Sequence, residues 1–215
     1  MNSDVKLLER FKKCNKSIPY QNHGIMPMEA FALCKYIQDN NVTVILESGT
    51  AYGYSTEILG NMFPNIKIIT IDTQQNYGVG TQNATQTRLS YLSNVSCIIA
   101  DSTVELPILI KTFSKDTVAV FIDGPKGEQA RALAIQCNAY DNVVFCGCHD
   151  QMVQDGHSYT PNLDVEFCKT YKFLDDEVNL VKLYEPHYND KTIGEYFPNG
   201  MGITFYPPTG YTFAI

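Results

Sequence analysis

Residues 42–56 read Val42-Thr43-Val44-Ile45-Leu46-Glu47-Ser48-Gly49-Thr50-Ala51-Tyr52-Gly53-Tyr54-Ser55-Thr56. An apolar, β-branched run ends in an acid, Glu47. Two spaced glycines follow, and then residues able to open a helix. This pattern predicts a strand, a tight turn and a helix N-terminus. Glycine has no Cβ, so such a turn can bring bare backbone against a small ligand. A dinucleotide fingerprint would space its glycines Gly-x-Gly-x-x-Gly. Here the spacing is Glu-x-Gly-x-x-x-Gly, which the fingerprint does not fit. The alternative is an ordinary strand-to-helix turn without a ligand.

Outward from this turn, strand-like and helical runs alternate. Strands are expected at Val42–Glu47, Ile66–Asp72, Val95–Ala100, Val118–Ile122 and Asn142–Gly147. Helices are expected at Asp4–Asn15, Met28–Asp39, Ser55–Met62, Thr85–Leu92, Val104–Phe113 and Glu128–Asn138. Repeated strand–helix–strand units imply a mainly parallel sheet with helices on both faces. Right-handed crossovers make it a Rossmann-like, doubly wound α/β arrangement. Beyond residue 150 the alternation loosens. Leu163–Phe173 reads as helical, and Asn179–Tyr184 with Gly202–Tyr206 reads as a closing, antiparallel pair of strands. The expected organisation is one domain over 1–215. N-terminal helices fill 1–40, a cofactor-binding core 41–150, and an acceptor-side segment with closing strands 151–215.

The 215 residues are 44% hydrophobic and 18% charged, the balance of a globular protein rather than a disordered chain. No apolar run has membrane-spanning length, and the N-terminus lacks the pattern of a signal peptide. Seven scattered cysteines, several in apolar runs, point to free thiols in a reducing, cytoplasmic setting. Cys146 and Cys148 sit in an expected strand with no second pair beside them, so they read as core rather than metal ligands. A net charge of −7 argues against a nucleic-acid phosphate backbone as partner.

The strand ends are rich in acids. Glu47, Asp72 and Asp123 end the first, second and fourth strands. Asp101 follows the third, and His149-Asp150 follow the fifth. Open parallel sheets bind ligands outside the carboxyl ends of their strands. A carboxylate at Asp72 can accept hydrogen bonds from both hydroxyls of a ribose, and one at Asp101 from an adenine amino group. Each acid taken alone is also explained as a solvated loop end.

Glu47-Ser48-Gly49-Thr50 with Gly53-Tyr54-Ser55-Thr56, then Asp123-Gly124, then His149-Asp150, resembles the class I S-adenosylmethionine-dependent methyltransferases. Within them it is similar to the small-molecule and sugar O-methyltransferase and cephalosporin-hydroxylase-like subgroup. The resemblance runs in order over about residues 42–150. It implies S-adenosylmethionine as cofactor, with which an acidic chain is compatible, and a small-molecule or sugar acceptor. It implies that Glu47, Gly49, Thr50, Tyr52, Gly53 and Ser55 hold the methionine part. Asp72 would hold the ribose, Asp101 and Ser102 would flank the adenine, and Asp123 would face the same pocket. Two departures matter. Pro125-Lys126-Gly127 replaces the Asp-His-Ser-Tyr continuation of many relatives, and the Asn/Asp-Pro-Pro-Tyr/Phe motif of many amino-group methyltransferases is absent.

For transfer to oxygen, His149 is the candidate general base by its ordinary pKa, the other reading being a loop histidine that hydrogen-bonds structure. Asp123 and Lys126 are the other catalytic candidates, Lys126 to orient an acceptor. Asp123 and Asp150 could share a magnesium ion, but no third ligand is evident, and the reading without metal is preferred. His157, Tyr159, His187 and Tyr188 fall in segments that could cover an acceptor. Assembly into a homo-oligomer is left open. Two other functions fit the same pattern: a nicotinamide-dependent Rossmann oxidoreductase, and a non-catalytic nucleoside-binding or scaffold protein.

Overall fold

The computed structural model describes residues 3–18, 25, 27–73, 78–126, 128–149, 171–173 and 212–214. Two helices, α1 (Ser3–Ser17) and α2 (Pro27–Asp39), precede the first strand. Strands and helices then alternate: β1 (Val44–Ser48), α3 (Tyr54–Met62), β2 (Lys67–Asp72), α4 (Gly78–Leu89), β3 (Val95–Ile99), α5 (Ser102–Thr112), β4 (Val118–Ile122), α6 (Glu128–Asn138) and β5 (Val143–Cys148). Two three-residue strands follow, β6 (Tyr171–Phe173) and β7 (Thr212–Ala214).

The sheet order is β3-β2-β1-β4-β5-β7-β6. β1 to β5 are parallel, and β7 lies antiparallel between β5 and β6. The doubly wound, mainly parallel sheet with an antiparallel C-terminal strand is therefore present. The dinucleotide-binding order ends 4-5-6, with no antiparallel strand between its last two. The closing strands sit elsewhere than expected. Tyr171–Phe173 is extended, not the end of a helix, because it pairs with β7. Asn179–Tyr184, Gly202–Tyr206 and the rest of the Leu163–Phe173 stretch lie outside the described residues.

Strand alternation sorts the core into two layers. Ile45, Ile68, Ala119, Phe121 and Phe145 face one side, under α1, α2 and α3. Val44, Leu46, Ile69, Ile71, Val118, Val120 and Ile122 face the other, under α5 and α6. Each Ile, Leu or Phe so buried contributes about 1.5–3 kcal/mol. On the first face Phe11 of α1 packs on Phe31 of α2, ring centroids 5.5 Å apart. Tyr36 of α2 stacks on Phe145 of β5, also at 5.5 Å. These contacts hold α2 over the β5 end of the sheet. The winding reverses between β1 and β4, the switch point at which open α/β sheets gather ligands.

Candidate functional site

The β1–α3 turn is held from below by its own acid. Alternation that sends Leu46 to the second face sends Glu47 to the first, under the start of α3. Glu47 is fully buried. Its two carboxylate oxygens accept from the Ser55 and Thr56 hydroxyls. Burial pushes its carboxyl up to about 6, against the opposing pull of the Ser55, Thr56 and Thr70 hydroxyls. Thr50 and Thr70 share a hydroxyl–hydroxyl bond of 2.6 Å beside it. Glu47 and Ser55 thus brace the turn that the resemblance implies holds the methionine part.

The two glycines answer to different neighbours. Gly49 has φ +95°, and its N–H donates to the Ile71 carbonyl at 2.8 Å. A Cβ there would lie 2.8 Å from the Gly124 nitrogen and 2.9 Å from the Asp123 carbonyl carbon. Glycine is required because the β1 and β4 ends touch backbone to backbone, a contact Ser48 O reinforces by accepting from the Asp123 and Gly124 N–H groups. Gly53, φ +77°, caps α3 and packs on Leu89 and Thr85 of α4. Thr85 Oγ1 donates to the Ala51 carbonyl at 2.8 Å, and Arg88 reaches the Tyr52 carbonyl at 3.5 Å. Arg88 is itself fixed by an ion pair with Glu57 of α3.

Asp72 ends β2 half-buried, and its Oδ2 accepts from the Ala51 N–H at 2.8 Å. Ala51 has φ +42°, an uncommon conformation for a residue with a Cβ, and this bond helps to hold it. The expected ribose acceptor is therefore tied to the turn of the first strand. Asp101 is exposed and caps α5, accepting at Oδ1 from Thr103 N (2.9 Å) and Thr103 Oγ1 (2.7 Å). Those bonds from Thr103 hold its carboxyl below the usual range. Ser102 points inward instead, bonded to Ser48 Oγ at 2.6 Å.

The third group gathers at the ends of β4 and β5. Asp123 Oδ1 takes both the Lys126 ammonium and, at 2.7 Å, His149 Nδ1. The other ring nitrogen, Nε2, lies 3.5 Å from Glu29 Oε2 of α2. Burial alone would push the imidazole down, but the carboxylates of Asp123 and Glu29 outweigh it and hold the ring well above 6.5. Burial likewise pushes Asp123 up, and the His149 and Lys126 cations outweigh it, leaving the carboxyl below its ordinary value. Both carboxylates therefore favour the protonated form of the His149 ring.

Of the two residues expected to share a magnesium ion, Asp123 contacts Lys126 and His149 through Oδ1. Among the described residues no group of three His, Cys, Asp or Glu side chains could hold a metal. Asp150, His157, Tyr159, His187 and Tyr188 lie outside the described residues. Cys146 and Cys148 are buried, and the six described cysteines are free thiols. No helix among the described residues is long and apolar enough to cross a membrane.

Sequence reasoning missed Glu29 and the supporting hydroxyls of Ser48, Thr56 and Thr70. Glu29 had a signal: it is a lone acid leading the apolar run Ala30-Phe31-Ala32-Leu33, whose four side chains are buried in α2. The hydroxyls had none, since serine and threonine are ordinary in strands and helix starts.

No family model and no curated protein sequence matches this chain. Solved structures similar to it include a Podospora anserina methyltransferase bound to SAH, 14% identical over 69% of this chain and 62% of that one, TM-score 0.46. Another is an O-methyltransferase from Bacillus cereus in complex with SAH, 16% identical over 70% and 67%, TM-score 0.47. A third is an O-methyltransferase from Streptomyces achromogenes involved in tomaymycin synthesis, with SAM, 13% identical over 70% and 66%, TM-score 0.46. The matched region spans about two thirds of the length of these structures. The fold assignment rests on this chain's own strand order.

Proposed function

We propose that this chain is an S-adenosylmethionine-dependent methyltransferase acting on an oxygen of a small molecule or sugar. The observation that carries the reading is the Asp72–Ala51 bond. It joins the carboxylate at the end of β2 to the turn after β1, so that a ribose acceptor and a bare backbone turn form one unit at the sheet's carboxyl edge. The donor set suits a cationic nucleoside. Asp72 offers acceptors to ribose hydroxyls, Asp101 to an amino group, and Asp123 to an ammonium. Glu47 and Ser55 keep the turn in shape from beneath, and Gly49, Thr50, Tyr52 and Gly53 supply its backbone.

Bound S-adenosylmethionine supplies an electrophilic methyl carbon, and transfer is an in-line displacement. The protein's share is positioning and exclusion of water. Ser102 and Ser48 fasten the start of α5 to the end of β1, so the adenine side cannot drift from the methionine side. His149 serves Asp123 rather than an acceptor hydroxyl. Lys126 is the most exposed of the three charged groups there and is the one able to turn toward an acceptor. Residues 151–215 would complete the acceptor side within a single domain, and the free thiols favour a cytoplasmic protein.

The test is SAH binding to the wild type and to Asp72→Asn. Asparagine can still accept from Ala51 N–H but loses one carboxylate acceptor and the charge. A Kd on the order of micromolar is expected for the wild type. The variant should bind weaker by about 1.5–3 kcal/mol. Equal affinity would remove Asp72 from the site and the reading with it.

A further inference from the structure

One of the two fully buried acids near this edge, Glu29, is on no strand. Glu29 sits on α2 with 1% exposure, inside a helix face that otherwise builds the core. A carboxylate so placed is costly unless it is paired. Its partner is His149 Nε2, and the same ring reaches Asp123 Oδ1 through Nδ1. The His149 N–H bond to the Ile122 carbonyl, 2.8 Å, fixes the main chain at the end of β5 but leaves the ring free to turn. The ring has a carboxylate at each nitrogen, one from the sheet and one from α2, and these two contacts favour one ring orientation. Tyr36 on Phe145 fixes α2 over the same strand.

We propose that Glu29 is a positioning residue: through His149 it holds the Asp123 carboxylate at the carboxyl edge of β4, aligned to receive the ammonium of the cofactor's methionine part. What Asp123 receives rests on the methyltransferase reading, whereas the alignment does not. Glu29 touches neither cofactor nor acceptor. A neutral residue there frees the ring to take a single-proton tautomer and rotate, and Asp123 is left to Lys126, a flexible exposed side chain.

The test uses the whole chain, with proton NMR of the His149 ring N–H groups and SAH titration on the same samples. His149→Gln assigns the signals, and thermal unfolding checks the fold. The wild type should show two slowly exchanging, downfield ring N–H resonances. Glu29→Gln should lose the Nε2–H signal, shift the Nδ1–H signal, and weaken SAH binding about tenfold. Glu29→Asp should restore part of both effects; if Glu29→Gln does not fold, Glu29→Asp is read on the same signals for a smaller shift. Ring signals unchanged by substitution of Glu29 would overturn the proposal. Ring signals that respond as expected in a protein that does not bind SAH would uphold the alignment and sink the cofactor reading instead.

Discussion

Replacing Gly49 by alanine puts a methyl group where the structure has no room for one. The new Cβ would meet the Gly124 nitrogen at 2.8 Å and the Asp123 carbonyl carbon at 2.9 Å. Both are backbone atoms, so no side chain can swing aside. The backbone at φ +95° is also unfavourable for alanine, costing about 1–2 kcal/mol. Forcing the β4 end away adds about 1–3 kcal/mol by overpacking. Partial relaxation shares these costs, and a loss of about 3 kcal/mol is expected, or about 6–12 °C in Tm for a chain of this size. Gly53→Ala is the control. It also has positive φ, but its Cβ meets only side-chain atoms of Leu89 and Thr85, at 3.2 Å, which can yield. It should cost about 1–2 kcal/mol. Urea unfolding followed by circular dichroism measures both. The reasoning fails if Gly49→Ala is no more destabilising than Gly53→Ala.

Glu47→Gln tests the buried acid beneath the turn. The folded carboxyl sits at about 6, above the 4.5 of a free glutamate, so the folded state binds the extra proton. The linkage sign is therefore that this group's contribution is fully present below pH 4.5 and is lost as pH rises through about 6. The rise from 4.5 to about 6 is worth about 2 kcal/mol. Stability of Glu47→Gln relative to wild type should rise by that amount between pH 4 and 8, and a pH-independent difference would contradict the assignment. Asp101→Ala removes the α5 cap and should cost about 1 kcal/mol in chemical denaturation. No loss would show that Thr103 finds another acceptor.

Most of the sheet was legible because its signal is local. β4 and α6 have the bounds expected of them, Val118–Ile122 and Glu128–Asn138, since long apolar or amphipathic runs specify an element by themselves. α4 begins at Gly78, earlier than Thr85, because its first turn, Gly-Val-Gly-Thr, consists of weak helix formers that only the packed fold retains. β6 and β7 are three residues each, and a strand that short is defined by its partner rather than by its own alternation.

The acids at the strand ends could be placed in register from the sequence, but their bonding partners could not. Glu47 faces the hydroxyls of α3, Asp101 turns back onto its own helix, and His149 meets Glu29 from α2. Each of those pairings depends on how a helix lies on the sheet. His149 shows the consequence most plainly. Its ordinary pKa suggests a base at neutral pH, and two carboxylates brought together by the fold shift the ring toward its protonated form.

In the proposed function the β1 turn and Asp72 bind the nucleoside of S-adenosylmethionine and not a dinucleotide. Isothermal titration of the purified chain with SAH and, separately, with NAD tests it most directly. The account predicts saturable one-to-one binding of SAH with a Kd on the order of 1–10 μM, and no heat of binding with NAD. Saturable binding of NAD without a response to SAH would contradict it.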